Sequence, residues 1–189
     1  MSRVYQLAPS ILSADFNRLG EQIQRVEKAE CRWLHIDIMD GMFVPSISFG
    51  MPVVKSIRKE SSLYFDVHMM VQDPQRYVEA LAKSGADMMT IHAEACHCIA
   101  DTIQKIHDHN MKCGIAINPD TPISAVESYL QDACYVSTAR IWRTEANTGN
   151  IRQDNGIASV KTGKWMEVSD RSGRRCECRH FRKCCQDRC

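Results

Sequence analysis

Between residues 6 and 130 the chain alternates five times between a short apolar run of strand length and a stretch whose apolar residues recur at helical spacing. The runs are residues 6–12, Trp33–Met39, Tyr64–Met70, Met88–His92 and Lys112–Ile117. Phe16, Leu19, Ile23 and Val26 mark the first helix, and Val53, Val54 and Ile57 the second. Tyr77, Ala80 and Leu81 mark the third, Ile99, Ile103 and Ile106 the fourth, and a fifth is expected through Val126 to Leu130. Such alternation requires a parallel sheet, because each helix carries the chain back to the end where the next strand starts. Two architectures satisfy it, a doubly wound sheet and a (β/α)8 barrel. No glycine-rich phosphate fingerprint follows the first run, which disfavours the dinucleotide-binding version of the doubly wound sheet.

The second run opens the most unusual stretch, WLHIDIMDGMFVPSISFG at residues 33–50. His35 and Asp37 interrupt an apolar strand two residues apart, so both side chains lie on one face. Burying an imidazole and a carboxylate costs several kcal/mol unless each finds a partner. A hydrogen-bonded core pair would satisfy that need, and so would a functional site. Asp40-Gly41 then makes a turn, and a loop of small and aromatic residues leads to a helix at Pro52. Loops in this position, after the carboxyl end of a strand, carry function in α/β proteins.

HIDIMDGMFVPSISFG, LAPSILSADF near the start and DVHMMV at residues 66–71, in this order and spacing, resemble the ribulose-phosphate 3-epimerases over residues 7–132. The resemblance implies an α/β fold of the (β/α)8 TIM-barrel type. A barrel needs eight units and typically ~250 residues, so this chain of 189 holds about five. Residues 1–132 are expected to form a partial barrel and 133–189 a tail outside the family pattern. The implied activity is that of an isomerase of the pentose phosphate pathway, exchanging D-ribulose 5-phosphate and D-xylulose 5-phosphate. A hexulose-phosphate epimerase acting on allulose 6-phosphate would share these motifs, and a non-catalytic metal-binding fragment is a further reading. Homo-oligomers are usual in the family.

Epimerisation at C3 needs a base on one face of the carbon, an acid on the other, and a group to hold the enediolate charge. A divalent metal can serve as that group. His35, Asp37 and His68 match the family's metal ligands, and Asp37 also matches one of its two acid–base carboxylates. Two imidazoles with a carboxylate suit zinc, with iron, manganese or cobalt as alternatives. Ser10 matches a substrate-contacting serine. Met39 and Met70, with Met69, sit where family methionines shield the intermediate, although methionine is by default core filler. His68 is also expected near the substrate. His92, Glu94 and Asp66 are candidate supports for the ligands, and Asp40 reads as a turn residue. Met42 stands where the family often has His.

The segment after residue 132 is rich in Arg, Cys, Asn, Gly and Thr and shows neither period 2 nor period 3.6. Taken literally it cannot bury much apolar area and is expected to lack order. Five of the ten cysteines crowd into residues 176–189, at spacings that fit no common zinc module. A shifted reading frame offers another account. When the last two bases of each codon are joined to the first of the next, residues 139–150 permit Pro-Gly-Phe-Gly-Gly-Gln-Lys, a variable residue and Ile-Pro-Glu-Thr. The glycine spanning Trp142 and Arg143 is forced. Residues 170–179 permit Ile-Glu-Val-Asp-Gly-Gly-Val-Asn-Val. These resemble the family's phosphate loop and its second catalytic Asp segment. As written, those places hold Arg140-Ile141-Trp142-Arg143 and Ser172-Gly173-Arg174-Arg175. Lacking the second acid and the phosphate grip, the chain is expected to fold poorly and turn over little.

A net charge of +1 gives no reason to expect nucleic-acid or membrane partners. No apolar run approaches the ~20 residues of a membrane span, and MSRVYQLAPS lacks the apolar core of a signal peptide. A cytoplasmic protein is the expectation.

Overall fold

The computed structural model describes residues 7–138 and the backbone of residues 165–167 and 176–177. Five parallel strands lie in sequence order: β1 (Trp33–Met39), β2 (Tyr64–Met70), β3 (Met88–His92), β4 (Lys112–Ile117) and β5 (Tyr135–Thr138). Four helices connect or precede them: α1 (Leu19–Lys28), α2 (Met51–Arg58), α3 (Val78–Lys83) and α4 (Ile99–Asp108). Two short backbone segments, β6 (Trp165–Glu167) and β7 (Cys176–Glu177), extend the sheet in antiparallel fashion beyond β5. None of the helices among the described residues is long and apolar enough to cross a membrane.

The sheet has two unlike faces. Leu34, Ile36, Phe65, Val67, Met69, Met89, Ile91, Cys113 and Ile115 alternate along the strands and bury one face. Ile23 of α1, Val54 and Ile57 of α2, Val78 and Leu81 of α3, and Ile103 and Ile106 of α4 cover that face in one apolar cluster. Each large side chain so buried stabilises the fold by roughly 1.5–3 kcal/mol. The other face carries the remaining parity of each strand, where the polar residues sit. Arg58 locks α2 to the starts of β2 and β3. Its guanidinium lies 3.8 Å from the Phe65 ring centroid, donates to Leu63 O at 2.8 Å and pairs with Asp87 at 3.1 Å.

Three expectations need correction. The run at residues 6–12 is not a strand: from residue 7 onward it contributes one parallel bridge, Ser10 to His35, and then turns into a 3-10 helix, Ile11–Ser13. Ser10 Oγ accepts from Leu12 N at 3.2 Å, a local bond that competes with the ladder. Residue 6 lies outside the described residues. The expected helix through Val126 to Leu130 is replaced by two 3-10 turns, Ile123–Ala125 and Glu127–Tyr129. Pro119 and Pro122 interrupt the approach, and only Val126 is buried there, too little apolar surface to hold a helix. Finally, part of the segment read as a tail belongs to the sheet. Tyr135–Thr138 pairs with β4 in parallel, and β6 and β7 follow. The sites read at residues 140–143 and 172–175, and the side chains of the cysteine-rich end, lie outside the described residues.

Candidate active site

The register of β1 on β2 brings the site together. His35 is opposite Asp66, Asp37 opposite His68, and Met39 opposite Met70. The parity that sends Leu34, Ile36 and Ile38 to the helices sends His35, Asp37 and Met39 to the other face. His35 and Asp37 of β1 and His68 of β2 offer ligand atoms that all lie within 4.8 Å of one another. These three side chains can therefore hold a metal ion.

The atoms that converge are specific. Asp37 Oδ1 faces His35 Nε2 at 3.2 Å and His68 Nδ1 at 3.4 Å. The outward nitrogens are occupied elsewhere: His35 Nδ1 meets Asp66 Oδ2 at 2.9 Å, and His68 Nε2 meets His92 Nε2 at 2.9 Å. Ser10 Oγ donates to Asp37 Oδ2 at 2.6 Å. One carboxylate is thus oriented on both oxygens. Two imidazole nitrogens and a carboxylate oxygen thus lie close enough together to ligate one metal ion.

Burial and charge pull against each other here. Burial alone would lower the pKa of His35, but Asp37 and Asp66 outweigh it and raise it to about 10. Burial would raise that of Asp37, and His35 and His68 hold it well below the usual carboxylate range. A cation entering at neutral pH would find an ionised Asp37 carboxylate and a proton on His35 to displace.

The surrounding residues divide by role. Met39 and Met70, at the carboxyl ends of β1 and β2, flank the cluster, Met70 buried and Met39 half-buried. Asp40 proves to be a clip for the following loop: its carboxylate accepts from Met42 N, Phe43 N and Gln72 N. That loop is pinned further by Ser48 Oγ, which donates to Asp37 O at 2.8 Å. It sets the Phe43 ring 4.8 Å from His92. Met42 is exposed at the loop tip. Glu94 Oε1 accepts from Asn118 N at 2.7 Å and from Thr121 Oγ1 at 2.5 Å, and its Oε2 lies 3.6 Å from His92 Nδ1. Thr90 and Tyr135, which the sequence reading did not single out, both reach Asp66. Thr90 had a signal in its spacing, two residues before His92 on the same face.

The family model for the "Ribulose-phosphate 3 epimerase family" matches residues 6–138. The chain belongs to the ribulose-phosphate 3-epimerase family. The matched span ends with β5, six residues beyond the end of the motif resemblance. A ribulose-phosphate 3-epimerase of Bacillus subtilis (strain 168) is 46% identical over 127 residues, covering 67% of this chain and 58% of the relative. One from Rhodobacter capsulatus is 46% identical over 131 residues, covering 69% and 58%. The chloroplastic enzyme of Arabidopsis thaliana is 44% identical over 126 residues, covering 66% and 45%. This epimerase-family chain therefore spans less than two thirds of the length of these relatives. Among solved structures, the tryptophan synthase alpha subunit of Legionella pneumophila str. Paris superposes with a TM-score of 0.50 at 12% identity, over 71% of this chain and 60% of that one. That likeness concerns the fold alone.

Proposed function

We propose that residues 7–138 carry the metal-binding, proton-abstracting half of a ribulose-phosphate 3-epimerase site, with D-ribulose 5-phosphate and D-xylulose 5-phosphate as the substrate pair. The observation that supports this reading best is the doubly held Asp37 carboxylate. Its Oδ1 lies between two inward imidazole nitrogens and its Oδ2 rests on Ser10. His35, Asp37 and His68 are the metal ligands. Zinc is the preferred ion for this donor set, with iron, manganese and cobalt as alternatives. When bound, the ion supplies Lewis-acid stabilisation of the enediolate. Asp37, ionised at rest, takes the C3 proton while the C–H electron pair passes into the enediolate, and the protonated Asp37 then returns a proton to the same face. Ser10 steers the Asp37 oxygen and offers its hydroxyl to the sugar. Met39 and Met70 exclude water above the reacting carbon.

The opposite-face acid and the phosphate grip are missing from residues 139–189 as they read, so this chain stops at half of the reaction. The test is incubation of the zinc-loaded chain with D-ribulose 5-phosphate in heavy water. Deuterium is expected to enter C3 with retained configuration, with no build-up of D-xylulose 5-phosphate, and Asp37→Asn abolishes the exchange. Exchange that persists in that variant, or normal epimerase turnover by the parent chain, would overturn the reading. The same assay on allulose 6-phosphate separates a pentulose from a hexulose preference.

A further inference from the structure

Asp66 is 2% exposed, and its two oxygens face different ways. Oδ2 holds His35 Nδ1 at 2.9 Å. Oδ1 faces two hydroxyls, Tyr135 Oη at 3.2 Å and Thr90 Oγ1 at 3.3 Å, which are themselves 2.5 Å apart. Each hydroxyl has one hydrogen, so only one can donate to the carboxylate while the other donates to its neighbour. The phenol is the stronger acid. The consistent arrangement has Thr90 donating to Tyr135, while Tyr135 Oη and His35 Nδ1 both donate to the Asp66 carboxylate.

The backbone is shaped around this pair. Thr90 of β3 and Tyr135 of β5 are both register partners of Gly114, on the strand between them. A Cβ at Gly114 would lie 2.6 Å from Thr90 Oγ1 and 2.9 Å from Tyr135 Cζ. The phenol ring and the threonine hydroxyl occupy the room that any larger residue would take. Burial and the adjacent Asp66 also push the Tyr135 phenol well above its ordinary pKa, so it remains a donor.

We propose that Tyr135 and Thr90 are positioning residues for a divalent cation site. Their paired hydroxyls fix Asp66 so that it holds the proton on His35 Nδ1 and leaves Nε2 to the cation. Neither residue touches the ion or the reacting carbon. Supporting partners of this kind are worth roughly 10–100-fold in metal affinity. The inference rests on the metal-binding reading given above.

The experiment uses the full chain with labelled histidine, alone and with zinc. Tyr135→Phe removes one hydroxyl and keeps the ring, and Thr90→Val removes the other and keeps the shape. In the zinc-loaded parent, His35 is expected to give a downfield, slowly exchanging Nδ1–H resonance. Each variant should shift that resonance upfield, speed its exchange and weaken zinc binding about tenfold, with an unchanged circular dichroism spectrum. A variant that loses the fold is read through the other. Zinc affinity within twofold of the parent together with an unmoved resonance in either folded variant overturns the inference alone. A parent chain that binds no zinc overturns the metal reading and this inference with it.

Discussion

His68 and His92 stack with ring centroids 5.0 Å apart and 15° between their planes, and their Nε2 atoms are 2.9 Å from each other. A bond between two imidazole nitrogens needs one proton. If His68 turns Nδ1 towards Asp37 as a ligand, it must carry its proton on Nε2, and His92 must accept there. His92 Nδ1 then bears hydrogen, towards Glu94. Burial lowers the pKa of His92 and favours this neutral state. His92→Phe keeps the ring and deletes the acceptor. We expect zinc affinity to fall about 10–100-fold, measured by chelator competition.

Proton release should accompany metal binding. In the metal-free chain His35 is protonated up to about 10, so a cation that takes Nε2 must displace a proton at neutral pH. Calorimetry in buffers of different ionisation enthalpy should show about one proton released per ion, and affinity should rise roughly tenfold per pH unit below pH 10. No dependence on buffer would contradict the raised His35.

The same pair sets the pH range of the metal-free fold. His35 is raised above its unfolded value, so its contribution is complete below about pH 6.5 and is lost as pH climbs through about 10. Asp37 is lowered, so its contribution is present above about pH 4 and lost as pH falls further. Urea midpoints should therefore peak between roughly pH 4 and 6.5 for metal-free protein, and flatten in Asp37→Asn.

Glu94 ties the end of β3 to the turn after β4. Burial would raise its pKa, but His92, Thr121 and the Asn118 amide hold it at about 2. Glu94→Gln should cost about 1–3 kcal/mol of stability at pH 7. That difference should shrink as pH falls from the usual carboxylate range towards 2, because the parent then loses the same charge. Denaturant titrations at pH 7 and pH 3 make the comparison.

The family match ends at residue 138, and the out-of-frame motifs begin at residue 139. Sequencing the coding DNA across codons 130–139 should reveal one extra base or the loss of two. An uninterrupted frame would make the arginine- and cysteine-rich segment genuine.

Much of this was legible beforehand, for identifiable reasons. β1 to β4 could be read because each is a continuous apolar run buried against helices. His35 and Asp37 stood out because polar groups at one parity contradict such a run. Residues 6–12 misled because Ser10 bonds locally, and residues 123–130 because prolines limit an otherwise plausible period. Thr90 went unnoticed because threonine is ordinary in a strand. Tyr135 was hidden by the polar composition that follows it. Its value comes from a glycine on the neighbouring strand, a relation between distant residues that no local pattern displays.

β1 joins the sheet through β2, and on its other side a bridge at Ser10 and hydrogen bonds from Ser48 to Asp37 O and Met39 O, with no full strand, support it among the described residues. That weakly buttressed margin bears His35 and Asp37, while His68 stands on β2. An ion held by all three would rivet the outermost strand to its neighbour. Loading would then be felt as slower amide exchange along β1, and depletion as fraying that starts at the chemistry itself.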